Sequence, residues 1–162
     1  MILSFANLRN DEGGAALIEM AFAAPILAAI VVGMSELATI YSMTLNVEQA
    51  AQRAVEKVQN QRTASATGYD TALTSEATSA MTDAGYTVAS GDISPESWLE
   101  CGTDPTHQSF TGTCTNANDV NARYASVRIT HKYRAILGGR LWPNADVNGD
   151  ITIAGYAEVR VQ

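Results

Sequence analysis

The sequence predicts an α+β protein: a long N-terminal helix, transmembrane in its first half and amphipathic in its second, packed on a small antiparallel sheet. Three observations lead there. Ala15 to Met34 is a twenty-residue apolar run interrupted by one carboxylate, Glu19. No Gly or Pro occurs between Gly33 and Gly68, so nothing in the sequence stops the helix there. Two late segments, Tyr124–Leu137 and Ile151–Val161, alternate apolar and polar residues with period two.

Each element has its own signal. At ~1.5 Å per residue, twenty helical residues span about 30 Å, the thickness of a bilayer's hydrocarbon core. Pro25 lies inside that run, where it removes one backbone donor and predicts a kink. From Leu37 onward, Leu37, Tyr41, Leu45, Ala51, Val55 and Val58 recur at helical spacing, with Asn46, Glu48, Gln49, Gln52 and Arg53 on the remaining surface. The helix therefore reads as continuous from about Gly14 to about Gln61, its second half lying on a folded domain. Thr63–Gly68 reads as a polar linker. Leu73, Ala77, Ala80, Met81 and Ala84 mark a second, weaker helix stopped by Gly85, and Tyr86–Ala89 begins a short strand. Residues 90–121 read as loop, with a brief strand near Ser97–Glu100.

The two late segments form the clearest sheet signal. Val127, Ile129, His131, Tyr133 and Ala135 alternate with Arg128, Thr130, Lys132 and Arg134; Ile151, Ile153, Ala157, Val159 and Val161 share one face. Each segment has one face to bury, so an antiparallel pair under a helix is the expected arrangement.

Composition bounds the function. The formal net charge of −7 and pI near 4.7 argue against nucleic acid as a general partner. Residues 63–122 hold eight acids and no Lys or Arg, whereas Arg128, Lys132 and Arg134 lie on one strand face, either as a solvated or internally paired face or as a docking surface for another subunit. Asp146-Val147-Asn148-Gly149-Asp150 begins like a calcium loop. Ile151 stands where such a loop needs Gly and Ala157 where it needs a bidentate Glu, so the segment reads as an Asn-Gly turn. His131 falls on the apolar phase of its strand and reads as a packed histidine; His107 reads as a loop residue without an evident partner. No nucleophile elbow, phosphate loop or zinc spacing is present, so the reading is a non-enzyme with no catalytic residue, cofactor or metal. Cys101 and Cys114 are the only cysteines and sit in a polar stretch. An even count there points to a disulfide if that side of the membrane is oxidising; two free thiols or half of a metal site are the alternatives.

The N-terminal run admits three readings: a cleaved secretory signal, a plain signal anchor whose Glu19 is favoured by the helix dipole, or a prepilin leader. Gly13-Gly14-Ala15-Ala16-Leu17-Ile18-Glu19 resembles the processing site of type IV pilins. Glu19-Met20-Ala21-Phe22-Ala23-Ala24-Pro25 and Gly33-Met34-Ser35-Glu36 resemble the acid, apolar run, proline, glycine and second acid of the TadE-like minor pilins, or pseudopilins, of the tight-adherence (Flp) pilus. The leader departs from the family pattern, with one Arg and two acids where family leaders are rich in Lys and Arg.

The resemblance implies a leader at residues 1–14, a transmembrane helix at 15–36, its amphipathic continuation at 37–62 and an extracytoplasmic pilin-like head at 63–162. It implies cutting between Gly14 and Ala15 by a prepilin peptidase on the cytoplasmic side of the bacterial inner membrane. The partners it implies are that membrane's lipid, other pilins or pseudopilins and the tight-adherence assembly machinery. Glu19 would pair with the freed amine of Ala15 on a neighbouring subunit, and the head would be periplasmic or on a surface pilus. A different class remains open: a single-pass anchored protein with an extracytoplasmic binding or sensing domain that never enters a filament.

Overall fold

The computed structural model describes residues 12–61, 65–89, 91–102, 104–115, 120–136, 138 and 142–161. Most of the expected leader, part of the expected linker and Leu137 at the end of the first strand run lie outside the described residues. The chain divides into two compact units, Met1–Thr39 and Ile40–Gln162. The element order is helix, helix, then four strands: α1 (Glu12–Gln59), α2 (Ala66–Asp83), β1 (Ile93–Cys101), β2 (Asp104–Ser109), β3 (Asn121–Arg134) and β4 (Asp150–Arg160). The class is α+β, with the long N-terminal helix packed on a four-stranded antiparallel sheet in the order β2-β1-β3-β4.

In the first unit the structure is helical from Glu12 onward, with Pro25 inside the helix. Ser35 Oγ donates to the Val31 carbonyl at 2.9 Å and Thr39 Oγ1 to the Ser35 carbonyl at 2.9 Å, so both hydroxyls are satisfied within the helix.

In the second unit, α1 from Ile40 onward supplies one side of the core. Its buried residues are Met43, Val47, Ala50, Ala51, Ala54, Val55 and Val58. Of the face expected from the sequence, Ala51, Val55 and Val58 are buried, and the other three positions are corrected. Leu37, Tyr41 and Leu45 are exposed, Tyr41 by 67%. The face on the sheet is built largely from small side chains, and the reason lies in β4. A Cβ at Gly155 would stand 2.8 Å from the Val47 carbonyl oxygen. The helix backbone thus lies directly on the strand, a separation that alanines permit and leucines would not.

α2 begins earlier than the linker reading placed it. Ser65 is the N-cap, its side chain accepting from Gly68 N, so Gly68 falls within the first helical turn. Tyr69, Leu73, Ala77, Ala80 and Met81 are buried. The helix ends where Gly85 takes a positive φ of 87° and Tyr86 N donates to the Met81 carbonyl at 3.0 Å. Glu76 ties the two helices together: Arg53 Nε donates to it at 2.8 Å and Lys57 Nζ donates to its other oxygen, while Arg53 also reaches Asp83 at 3.1 Å.

The expected antiparallel pair is present as β3 and β4, in register from Tyr124 opposite Arg160 to Arg134 opposite Asp150. Ala125, Val127 and Ile129 are buried, with Ile151 and Ile153 facing the same core. Tyr86–Ala89 is not a strand. The brief strand expected near Ser97–Glu100 is present, but as part of the longer β1, and β2 also lies in the stretch 90–121 that was otherwise expected as loop. β1 is nine residues long and pairs along its whole length with β3, which makes β3 central. Ser97 Oγ donates to Asp70 Oδ1 at 2.6 Å, joining β1 to α2.

Gly155→Ala is expected to destabilise the head by about 1–3 kcal/mol, because the added methyl meets helix backbone rather than a movable side chain. Denaturant unfolding of the detergent-solubilised protein checks this. A second outcome concerns pH. Hydrogen bonding from Lys57, opposed by desolvation and aided by Arg53, holds the Glu76 carboxyl below its ordinary value. Backbone amides of Asp150 and Asn148 do the same for Asp146. A carboxyl held below its unfolded value contributes stability above the unfolded pKa, about 4, and loses it as pH falls through the folded one. The thermal midpoint should therefore drop on acidification below about pH 4, and Glu76→Gln should flatten that drop.

Candidate membrane anchor and assembly face

Helix α1 contains an eighteen-residue window of mean hydropathy 2.2, none of it buried. It is long and apolar enough to cross a membrane as a single pass. Leu17, Ile18, Met20, Phe22, Ile26 and Leu27 all point outward. Glu19 is exposed among them. In a bilayer, a carboxylate so placed is tolerable near headgroups or beside an opposite charge, because a bare acid in hydrocarbon costs several kcal/mol. Gly14 is exposed, and a Cβ there would meet nothing within 4 Å. The side chain of Ala15 lies outside the described residues. Pro25 is exposed and Gly33 half-buried.

Glu36 differs from Glu19. It is 1% exposed and is the one buried side chain among the described residues of the first unit. Sequence reading named it as the second acid of a resembled family pattern and did not foresee its burial. A signal was available: Glu36 precedes Ile40, Met43, Val47, Ala50, Ala54 and Val58 at spacings of three or four, the period of one helical face.

Cys101 and Cys114 form a disulfide, with Cα atoms 5.5 Å apart. Cys101 ends β1 and Cys114 follows β2, so the bridge encloses β2 and its turn. Arg123 on β3 fastens the same loop, Nε donating to the Phe110 carbonyl at 2.8 Å and Nη2 to the Gly112 carbonyl at 3.3 Å. Phe110 in turn packs edge-on against Tyr69 at 5.4 Å.

The remaining sequence candidates are structural. His131 is half-buried with its ring 5.2 Å from Tyr86. His107 is not a partnerless loop residue; it lies on β2, stacks on Trp98 at 4.2 Å, and places Nδ1 3.3 Å from Glu96. Tyr124 stacks on Trp98 from the far side at 5.7 Å, and this buries an indole on the sheet face away from the helices. Period-two patterning missed the stack because Trp98, Tyr124 and His107 come from three separate strands. The basic strand face is paired within the domain: Arg128 lies over the Tyr156 ring at 5.3 Å, Lys132 is 3.7 Å from Asp146, and Arg134 is 3.9 Å from Asp150.

The Asn-Gly segment is a turn. Asp146 Oδ1 accepts from Asn148 N at 2.8 Å and Asp150 N at 3.0 Å, and Gly149 takes a φ of 83°. Among the described residues, no group of three or more His, Cys, Asp or Glu side chains is placed to hold a metal ion. No family model, curated protein or solved structure matches the chain.

Cys101→Ser, Cys114→Ser and the double variant should destabilise the head alike, since each opens the same loop; the chain-entropy effect for thirteen residues is about 3 kcal/mol. Denaturant unfolding, with thiol labelling before and after reduction, checks it.

Proposed function

We propose that the chain is a TadE-like minor pilin or pseudopilin of a tight-adherence pilus, a structural subunit and not an enzyme. The observation that carries this reading is the outward-facing apolar helix with a single exposed acid, Glu19, five residues after an unobstructed Gly14. Such a helix has two uses: it holds the precursor in the inner membrane, and its bare surface packs against like helices during assembly. Exposed Leu37, Tyr41 and Leu45 extend that apolar surface past the hydrocarbon run, away from the face used by the core.

On this reading a prepilin peptidase removes residues 1–14 on the cytoplasmic side. The new amine of Ala15 then meets Glu19 of a neighbour. Each charge alone is costly in lipid, and the two offset one another at one helix stagger, which sets the register of assembly. The head is extracytoplasmic, where oxidising conditions maintain a bridge such as Cys101–Cys114.

Intact-mass analysis of membrane-extracted protein should find a chain beginning at Ala15; a chain that keeps Met1 points instead to an anchored sensor or binding protein. Glu19→Val should leave membrane insertion intact and weaken co-purification with neighbouring pilins, because the partner amine loses its acid.

A further inference from the structure

We infer that Asn148 is a site of spontaneous covalent modification: its side-chain amide is lost by ring closure onto the Gly149 nitrogen, at a rate controlled by Asp146. Asn148-Gly149 is the one Asn-Gly pair in the chain; the other asparagines precede Leu, Asp, Val, Gln or Ala. A side chain on the following residue crowds its amide nitrogen and slows attack on the asparagine, and glycine has none. The turn needs that glycine for a different reason. Residue 149 takes a φ of 83°, a conformation in which L side chains are strained. The fold has therefore placed a reactive pair where the turn geometry required one. Asn148 is exposed, and among the described residues no hydrogen bond engages its side-chain amide.

The reaction needs only water and its hydroxide. Hydroxide takes the Gly149 N–H proton, and the nitrogen attacks Cγ of Asn148. The N–Cγ bond forms, the Cγ–Nδ2 bond breaks, and Nδ2 leaves as ammonia after taking a proton back from water. Water then opens the cyclic imide at either carbonyl. One opening gives aspartate. The other gives isoaspartate, whose backbone runs through the former side chain and is longer by one methylene.

In the folded head the attacking nitrogen is engaged. Gly149 N donates to the Asp146 carbonyl at 2.9 Å. Asp146 Oδ1 brackets that bond, accepting from Asn148 N at 2.8 Å and Asp150 N at 3.0 Å. Asp146 N donates in turn to the Asp150 carbonyl at 2.8 Å. Ring closure requires the Asn148–Gly149 peptide to rotate toward the Asn148 side chain, so the Gly149 bond must open first. The Asp146 carboxylate holds the peptide on both sides of that bond and so keeps it shut. The products differ in what they do to the head. The extra methylene of isoaspartate displaces Gly149 and Asp150, so Asp146 loses its grip on the two amides. The Ala145–Ile151 bridge and the start of β4 loosen with it. Aspartate keeps the backbone but puts a third carboxylate between Asp146 and Asp150.

The test is incubation of the full chain, folded in detergent, at mildly alkaline pH, followed by peptide mapping by mass and enzymatic methylation of isoaspartate. Asn148 should convert ahead of every other asparagine and faster as pH rises, and hydroxylamine should trap the imide at residue 148. Asp146→Ala should raise the folded-state rate about tenfold, the effect of two lost hydrogen bonds on a local opening equilibrium. Asp146→Asn, whose side-chain oxygen still accepts, should keep the unsubstituted rate. In urea all three chains should convert alike. Gly155→Ala separates local opening from global unfolding, because it weakens the head away from this turn and should leave the rate unchanged. A folded chain whose Asn148 stays intact while the urea-unfolded chain converts overturns the site. Equal folded rates with and without Asp146→Ala, or equal acceleration by Gly155→Ala, overturn the control by Asp146. If Asp146→Ala does not fold, hydrogen exchange of the unsubstituted chain decides: the Gly149 amide should exchange by local opening, and exchange only through global unfolding overturns the control.

Discussion

The fold depends on how closely α1 can approach β4. Val47 puts its carbonyl where a Cβ of residue 155 would be, so that residue is Gly. The neighbouring helix positions follow from the same constraint. Ala50, Ala51 and Ala54 are buried because there is little depth between helix and sheet for anything larger. The larger core side chains come from elsewhere: Tyr69, Leu73 and Met81 from α2, Leu99 from β1, Val127 and Ile129 from β3. A thin seam on one side and a deeper layer on the other give a small head a packed interior. Hydrophobic area alone would not have chosen this arrangement.

That constraint explains which parts of the structure were legible in the sequence. The length of α1 was readable because helix breakers are absent for dozens of residues. β3 and β4 were readable because each buries one face and leaves the other wet, which writes period two into the chain. The face of α1 was read correctly at Ala51, Val55 and Val58 and misread at its start, because large apolar residues attract attention: Leu37, Tyr41 and Leu45 looked like core, and Ala50 and Ala54 were passed over. Only the tertiary approach of a strand glycine reverses that weighting, and no local pattern announces it. β1 was read only as a brief strand near Ser97–Glu100, and β2 was missed, for a related reason. β1 carries Pro95 and alternating Ser and Glu, and its pairing comes from β3 on one side and a disulfide-closed hairpin on the other. Its stability is non-local, as strand stability usually is.

The candidate site was legible to a different degree. Glu19 could be named from the sequence because it interrupts a monotonous run; Gly14, Pro25 and Gly33 were named on a resemblance to a family pattern. Glu36 was named on the same resemblance, and its burial was foreshadowed only by its place on the helical face of Ile40, Met43 and Val47. The disulfide was readable as a count and a context. The fastening of the same loop by Arg123 was not, because an arginine in an alternating strand looks like any other solvated residue.

The two acids of α1 mark different demands on one helix. Glu19 is exposed on an apolar stretch, where a carboxylate is tolerable only near headgroups or beside a cation. Glu36 is buried, where a carboxylate is tolerable only if its surroundings supply hydrogen bonds or charge. Between them lie the residues that would have to be entirely in hydrocarbon, and there the only polar side chain is that of Ser35, bonded to its own helix. Beyond Glu36 the helix divides by face: small residues toward the sheet, and Leu37, Tyr41 and Leu45 away from it. A soluble protein would have placed polar residues on that outer face, since apolar exposure there contributes nothing to the core. Large apolar side chains at three positions beside the exposed Ser42 make sense if the outer face of α1 has another surface to meet.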